Sequence, residues 1–128
     1  MEKSVFIIED QSSIIELYQI AFEKAGYAVS SSGTGREALE TIKKIVEGSV
    51  AVPVVIVLDL LLPDISGLAV LGAVREKKEL DKVLVVVLTN YVSKELSESM
   101  KNMPNVEYLS KVDISPARLI EIVREKTS

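Results

Sequence analysis

The sequence predicts an α/β fold of the doubly wound kind, a parallel sheet with helices on both faces. Three observations predict it. Five short runs of strand length, most of them apolar and rich in β-branched residues, recur along the chain. Stretches with apolar residues at three- and four-residue spacing separate them, and each such crossover must return right-handed over the sheet. The 128 residues, 48% of them hydrophobic and 27% charged, contain no repeat or linker, so a single domain over residues 1–128 is expected.

Val5-Phe6-Ile7-Ile8 is the first strand, apolar throughout as a strand buried on both faces is, and it ends abruptly at Glu9-Asp10. From Ser12 or Ser13 to Ala25, the residues Ile14, Ile15, Tyr18, Ala21, Phe22 and Ala25 trace a helix face, and Gly26 stops it. Residues 27–31 form a half-polar second strand whose composition places it at a sheet edge. A second helix spans about 35–47, with Ala38, Leu39, Ile42 and Ile45 or Val46 inward. After Pro53, residues 54–58 (Val-Val-Ile-Val-Leu) supply a central third strand. Ser66 caps a third helix that turns Leu68, Leu71 and Val74 inward. Residues 83–88 are the fourth strand. A short helix at 93–101 offers only Leu96 and Met100 to the core and is marginal alone. Residues 106–109 form the fifth strand, and Pro116 opens a last helix carrying Leu119, Ile120 and Val123.

Composition removes several function classes. Nineteen acidic against fifteen basic residues leave a net charge of −4, which disfavours a nucleic-acid surface. The chain has no Cys and no His, so thiol nucleophiles, disulfides, thiolate metal sites and imidazole bases are excluded. The longest apolar runs fall far short of the roughly 20 residues of a membrane helix. Nor does the N-terminus have the character of a signal peptide, and a cytoplasmic protein is expected.

In open α/β sheets, ligands bind beyond the carboxyl ends of the strands. Glu9 and Asp10 follow the first strand, Asp59 the third, Thr89 the fourth, and Lys111 lies just past the fifth. Alone, each is ordinary: acids after strands cap helices, and lysines near loops are solvated. Together they form a set. Two carboxylates about 5 Å apart repel by about 3 kcal/mol at an effective dielectric of 20, so a cluster of three favours a cation. Without His or Cys the ligands are oxygens, which select a hard ion, Mg²⁺ ahead of zinc or copper. Mg²⁺ favours phosphate oxygens, Lys111 and Thr89 suit a phosphoryl group, and a carboxylate can itself be the nucleophile.

At these positions the chain resembles the receiver domain of two-component response regulators, the CheY-like phosphoacceptor modules of bacterial signalling. The resemblance rests on Glu9-Asp10, on residues 58–67 (Leu-Asp-Leu-Leu-Leu-Pro-Asp-Ile-Ser-Gly), on Thr89, and on Tyr108-Leu109-Ser110-Lys111. It covers essentially the whole chain. It implies a flavodoxin-like (βα)5 fold with strand order 2-1-3-4-5, in agreement with the polar second strand at an edge. It makes Asp59 the phosphoacceptor, with Mg²⁺ held by Asp10, Asp59 and the backbone carbonyl of Leu61, and by Glu9 through water. Lys111 pairs with phosphoryl oxygens, Thr89 donates its hydroxyl on activation, and Tyr108 is the aromatic switch. Such a module catalyses its own phosphorylation and dephosphorylation without turning over a separate substrate.

With Mg²⁺ and Lys111 balancing three carboxylates, the resting site is neutral. Phosphorylation replaces one carboxylate charge by about −1.5 to −2, and the excess calls for new hydrogen bonds. Lacking His, the chain must take its phosphoryl group from a sensor histidine kinase or a histidine phosphotransfer protein. It ends at Ser128, just after the last helix, so output is expected through a protein or output domain in trans, across the surface of helix four, strand five and helix five. A phosphorylation-dependent homodimer is compatible with this.

Several positions depart from the family pattern. Val112 follows the lysine where Pro is usual, so a trans bond and an altered loop are expected. Asn90 takes a position that is usually small, and Tyr91 follows it. Leu61 is bulky, and with Tyr91 it is expected to flank the phosphoryl group and slow attack by water. Leu62 in place of Met is conservative.

Two alternatives stand beside the receiver. Residues 33–38 (Gly-Thr-Gly-Arg-Glu-Ala) fit a nucleotide-binding fingerprint, with Gly33 and Gly35 as its glycines and Asp59 about twenty residues on. Yet the strand before it is polar, and Glu9, Asp10, Thr89 and Lys111 are left without a role. The other alternative is a receiver-like adaptor that binds its partner whatever its phosphorylation state.

Overall fold

The computed structural model describes residues 2–90 and 93–128. Five strands, β1 (Ser4–Ile8), β2 (Ala28–Ser32), β3 (Val55–Leu58), β4 (Leu84–Thr89) and β5 (Val106–Ser110), form one parallel sheet in the order β2-β1-β3-β4-β5. Five α-helices alternate with them: α1 (Ser12–Lys24), α2 (Gly35–Val46), α3 (Gly67–Glu76), α4 (Lys94–Lys101) and α5 (Pro116–Thr127). This is the expected fold, and β2 lies at the edge as its serines require.

Alternation along the strands sends side chains into two cores. Phe6, Ile8, Ile56, Leu58, Val85 and Val87 meet α2, α3 and α4 on one face of the sheet. Val5, Ile7, Val57, Val86 and Leu88 meet α1 and α5 on the other. β3 and β4 are buried at every position, as strands covered on both faces must be.

The expected cap at Ser66 forms, and two further serines cap helices in the same way. The hydroxyls of Ser66, Ser93 and Ser115 accept backbone N–H bonds at the starts of α3, α4 and α5. Met100 is buried and Leu96 half-buried on α4.

Some expectations shift. Leu68 points outward at 38% exposed, and Val70, Leu71 and Val74 are the buried residues of α3. The cause is Gly67, packed so closely on the backbone of Asp59 and Leu60 that it sets the rotation of the helix. Thr89 belongs to β4 rather than following it, because pairing with Ser110 extends the ladder. Short 3-10 turns at Lys78–Leu80 and Lys111–Asp113 were not expected. Among the described residues no helix is long and apolar enough to cross a membrane.

Candidate functional site

The parallel sheet brings the carboxyl ends of β1, β3 and β5 to one edge, with β4 between the last two, and from there Glu9 and Asp10, Asp59 and Lys111 reach the same point. Strand pairing continues one residue past β1 and β3: the N–H of Glu9 donates to the Ser32 carbonyl at 3.1 Å and that of Asp59 to the Ile8 carbonyl at 3.0 Å. Both backbones are thereby fixed where the side chains leave the sheet. Glu9 and Asp59 are buried, Asp10 is exposed, and their carboxylate oxygens lie within 4.8 Å of one another.

The Lys111 ammonium bridges this cluster. It donates to Oε1 of Glu9 and, at 2.7 Å, to Oδ2 of Asp59, and the three side chains are only 10%, 4% and 8% exposed in that order. The other oxygen of Asp59, Oδ1, accepts the N–H of Leu61 at 3.0 Å, and Glu9 Oε2 accepts that of Gln11 at 3.2 Å. Each buried carboxylate is thus satisfied from two directions.

Burial pushes the Glu9 carboxyl above its ordinary range, opposed by the bonds from Lys111 and Gln11. For Lys111 burial would lower the ammonium, but its bonds to Asp59 and Glu9 outweigh that and raise it, so it is charged at neutral pH. Tyr18, buried on α1, has its phenol pushed up mainly by burial, within the field of Lys111 and Glu9.

Thr89 is fully buried at the end of β4, in register with Ser110, the neighbour of Lys111. Tyr108 is half-buried on β5, and its hydroxyl accepts the N–H of Ser93, the cap residue of α4, at 3.4 Å. Tyr108 therefore meets the start of α4, and Thr89 ends the strand paired with the one that leads into Lys111. Leu61 stands 58% exposed beside Asp59, while its expected companion Tyr91 lies outside the described residues. Val112, in its 3-10 turn, is 79% exposed, and no cis peptide bond occurs among the described residues. With Val112 in the position after it, Lys111 reaches the cluster.

Asp64, outside the acidic cluster, makes contacts that were not legible in the sequence. Its carboxylate accepts the N–H groups of Gly35 and Arg36 at 2.8 and 2.9 Å, which fills the N-terminus of α2. The nucleotide fingerprint at Gly33 and Gly35 fails for this reason: the amides a pyrophosphate would need are taken by a carboxylate of the same chain.

Oxygen donors gathered at strand ends, with one lysine among them and a buried hydroxyl on a neighbouring strand, fit the phosphorylation site of a receiver-type α/β module. The chain belongs to the response regulator receiver domain family, whose sequence profile matches residues 5–124. It is similar to the polar-differentiation response regulator DivK of Brucella abortus (strain 2308), 31% identical over 124 residues, covering 97% of this chain and 95% of that protein. Among solved structures it resembles the chemotaxis response regulator CheY4 of Vibrio cholerae, 25% identical with a TM-score of 0.82, over 98% of this chain and 99% of that one. It also resembles the phosphorylated cyanobacterial phytochrome response regulator RcpA, 28% identical with a TM-score of 0.77, over 98% and 91% of the two chains.

Proposed function

We propose that this receiver accepts a phosphoryl group on Asp59 from the phosphohistidine of a sensor kinase or a histidine phosphotransfer protein. The observation that carries it is the buried pair Glu9 and Asp59, with Asp10 at the mouth, bridged by Lys111. An Asp59 carboxylate oxygen attacks phosphorus, the bond from phosphorus to the donor imidazole breaks, and the imidazole leaves with the electron pair and takes up a proton. Lys111, already on Oδ2, needs only a small movement to follow the phosphoryl oxygens.

The donor set fits Mg²⁺: three carboxylates and a backbone carbonyl, all oxygen, partly open to water. Asp10, Asp59 and the Leu61 carbonyl would hold it, with Glu9 through water, and it would neutralise charge on the transferring group. Thr89 then donates its hydroxyl to the phosphoryl group, and Tyr108 follows by changing its contact with α4. The altered surface of α4, β5 and α5 passes the signal to a downstream target in the cytoplasm.

The test is intact-protein mass after incubation with Mg²⁺ and acetyl phosphate, for wild type and Asp59→Asn. One phosphoryl group added to the wild type, dependent on Mg²⁺ and absent from the variant, is the expected result. No modification, even with candidate kinases, would overturn it in favour of an adaptor indifferent to phosphorylation.

A further inference from the structure

We propose that Asp64 is a positioning residue for this site: it clamps the loop after β3 onto the N-terminus of α2 and thereby sets the affinity for the divalent cation. The inference deepens the phosphoacceptor reading and rests on it. The first N–H groups of a helix have no partner within it, and they form its positive end. Thr34 already caps α2 locally by accepting the N–H of Glu37 at 3.1 Å. Asp64 arrives from the other side of the sequence and takes two further donors, Gly35 and Arg36, one on each oxygen. Burial would raise its carboxyl, but these N–H groups, with that of Ile65, hold it below the ordinary range, so the clamp is ionised at neutral pH.

The next residue makes the fit specific. Ile65 lies on the bare Cα of Gly35, where a Cβ would come within 2.2 Å of Ile65 Cγ1 and 3.3 Å of Asp64 Oδ1. The far end of the loop is closed too: the N–H of Gly67 donates to the Leu60 carbonyl at 2.9 Å. Between these fixed points stands Leu61, exposed, its N–H on Asp59 Oδ1 and its carbonyl the expected cation ligand. The Asp64 bonds tie this loop to an element 28 and 29 residues away in the sequence. Mg²⁺ requires near-ideal octahedral geometry, so a wandering carbonyl costs affinity before it costs the fold.

The test uses the full chain with Asp64→Ala and Asp64→Asn, the latter keeping one acceptor oxygen. Three quantities are measured: Mg²⁺ affinity by calorimetry, hydrogen exchange at the Leu61 amide without metal, and acetyl phosphate labelling against Mg²⁺ concentration. Asp64→Ala should weaken Mg²⁺ about tenfold, the low end for groups that orient a metal ligand, and Asp64→Asn by less. Leu61 exchange should quicken in the same order, while labelling at saturating Mg²⁺ stays within about twofold of wild type. Unchanged Mg²⁺ affinity and unchanged Leu61 exchange, even with a lowered melting temperature, would reduce Asp64 to a helix cap and overturn the proposal. Should Asp64→Ala fail to fold, Asp64→Asn carries the same comparison. Failure of the underlying reading looks different: the wild type itself then binds no Mg²⁺ or gains no phosphate on Asp59, and the proposal falls with it.

Discussion

Lys111→Met removes the ammonium and keeps the hydrocarbon stem, which isolates the charge of the bridge. In the folded protein Glu9 and Asp59 are nearly enclosed, with side chains 4% and 8% exposed, and Lys111 bonds to both. Removing one partner of a buried ion pair costs about 3–5 kcal/mol, because the remaining charge is desolvated and unpaired. The mouth at Asp10 admits water, so the low end applies, about 3 kcal/mol. For a domain of this size that is a fall in melting temperature of roughly 10 °C. The dependence on pH follows from Glu9. Its folded pKa is already raised, and loss of the lysine raises it further. A raised carboxyl weakens the fold as pH climbs through the folded value, so the deficit is full at neutral pH and shrinks in acid. In the wild type the Lys111 contribution, from a raised ammonium, is complete below its unfolded value and is lost only at strongly alkaline pH. The assay is thermal unfolding by circular dichroism at neutral and mildly acidic pH, with and without millimolar Mg²⁺. The expected pattern is a large drop at neutral pH that narrows in acid and narrows again with Mg²⁺, which replaces the missing cation. A variant melting within about 2 °C of wild type at neutral pH would refute the reasoning.

Gly67→Ala would place a Cβ 2.4 Å from Leu60 Cα and 2.5 Å from the Asp59 carbonyl, both backbone, so denaturant unfolding should show a loss of about 2–3 kcal/mol. An unchanged midpoint would mean that α3 can rotate freely there. Shortening Leu61 to Ala, alone and with Tyr91→Ala, should speed loss of phosphate from Asp59 severalfold by opening the in-line path to water. The decay is followed by intact mass after the donor is removed, and an equal rate in all forms would dismiss the shielding role.

Strands β1, β3 and β4 were legible because they are apolar on both faces, and the site because its acids and lysine stand where the strands stop. Glu9, Asp10 and Asp59 needed no long-range reasoning beyond the rule that parallel strands end on one edge. The phase of α3 was not legible: from Gly67 to Val74 the segment is apolar or glycine throughout, so more than one helical face looks suitable. What decides is the approach of Gly67 to the Asp59 backbone, a contact between elements. The link from Asp64 to Gly35 spans 29 residues, and the same glycines and helix start can hold either a ligand's phosphates or the protein's own carboxylate. Sequence pattern supplies the receptor and leaves its occupant open.

Helix α4 shows how a charge change at Asp59 can reach a surface. Its C-terminal end is bolted down: Arg75 donates to the carbonyls of Pro104, Leu80 and Val83, and Asn105, held at φ 57°, donates to that of Asp81. Met100 is buried at the same end. At its N-terminal end the observed restraints are weaker, the Ser93 hydroxyl to Leu96 and the Ser93 N–H to the Tyr108 hydroxyl, both at 3.4 Å. A helix of eight residues with few apolar anchors has little stability of its own. Its N-terminal end is the one that meets Tyr108, on the strand paired with that of Thr89. One hydrogen bond gained or lost there, about 1 kcal/mol, is enough to shift the balance between two positions of that end while the other stays as a pivot.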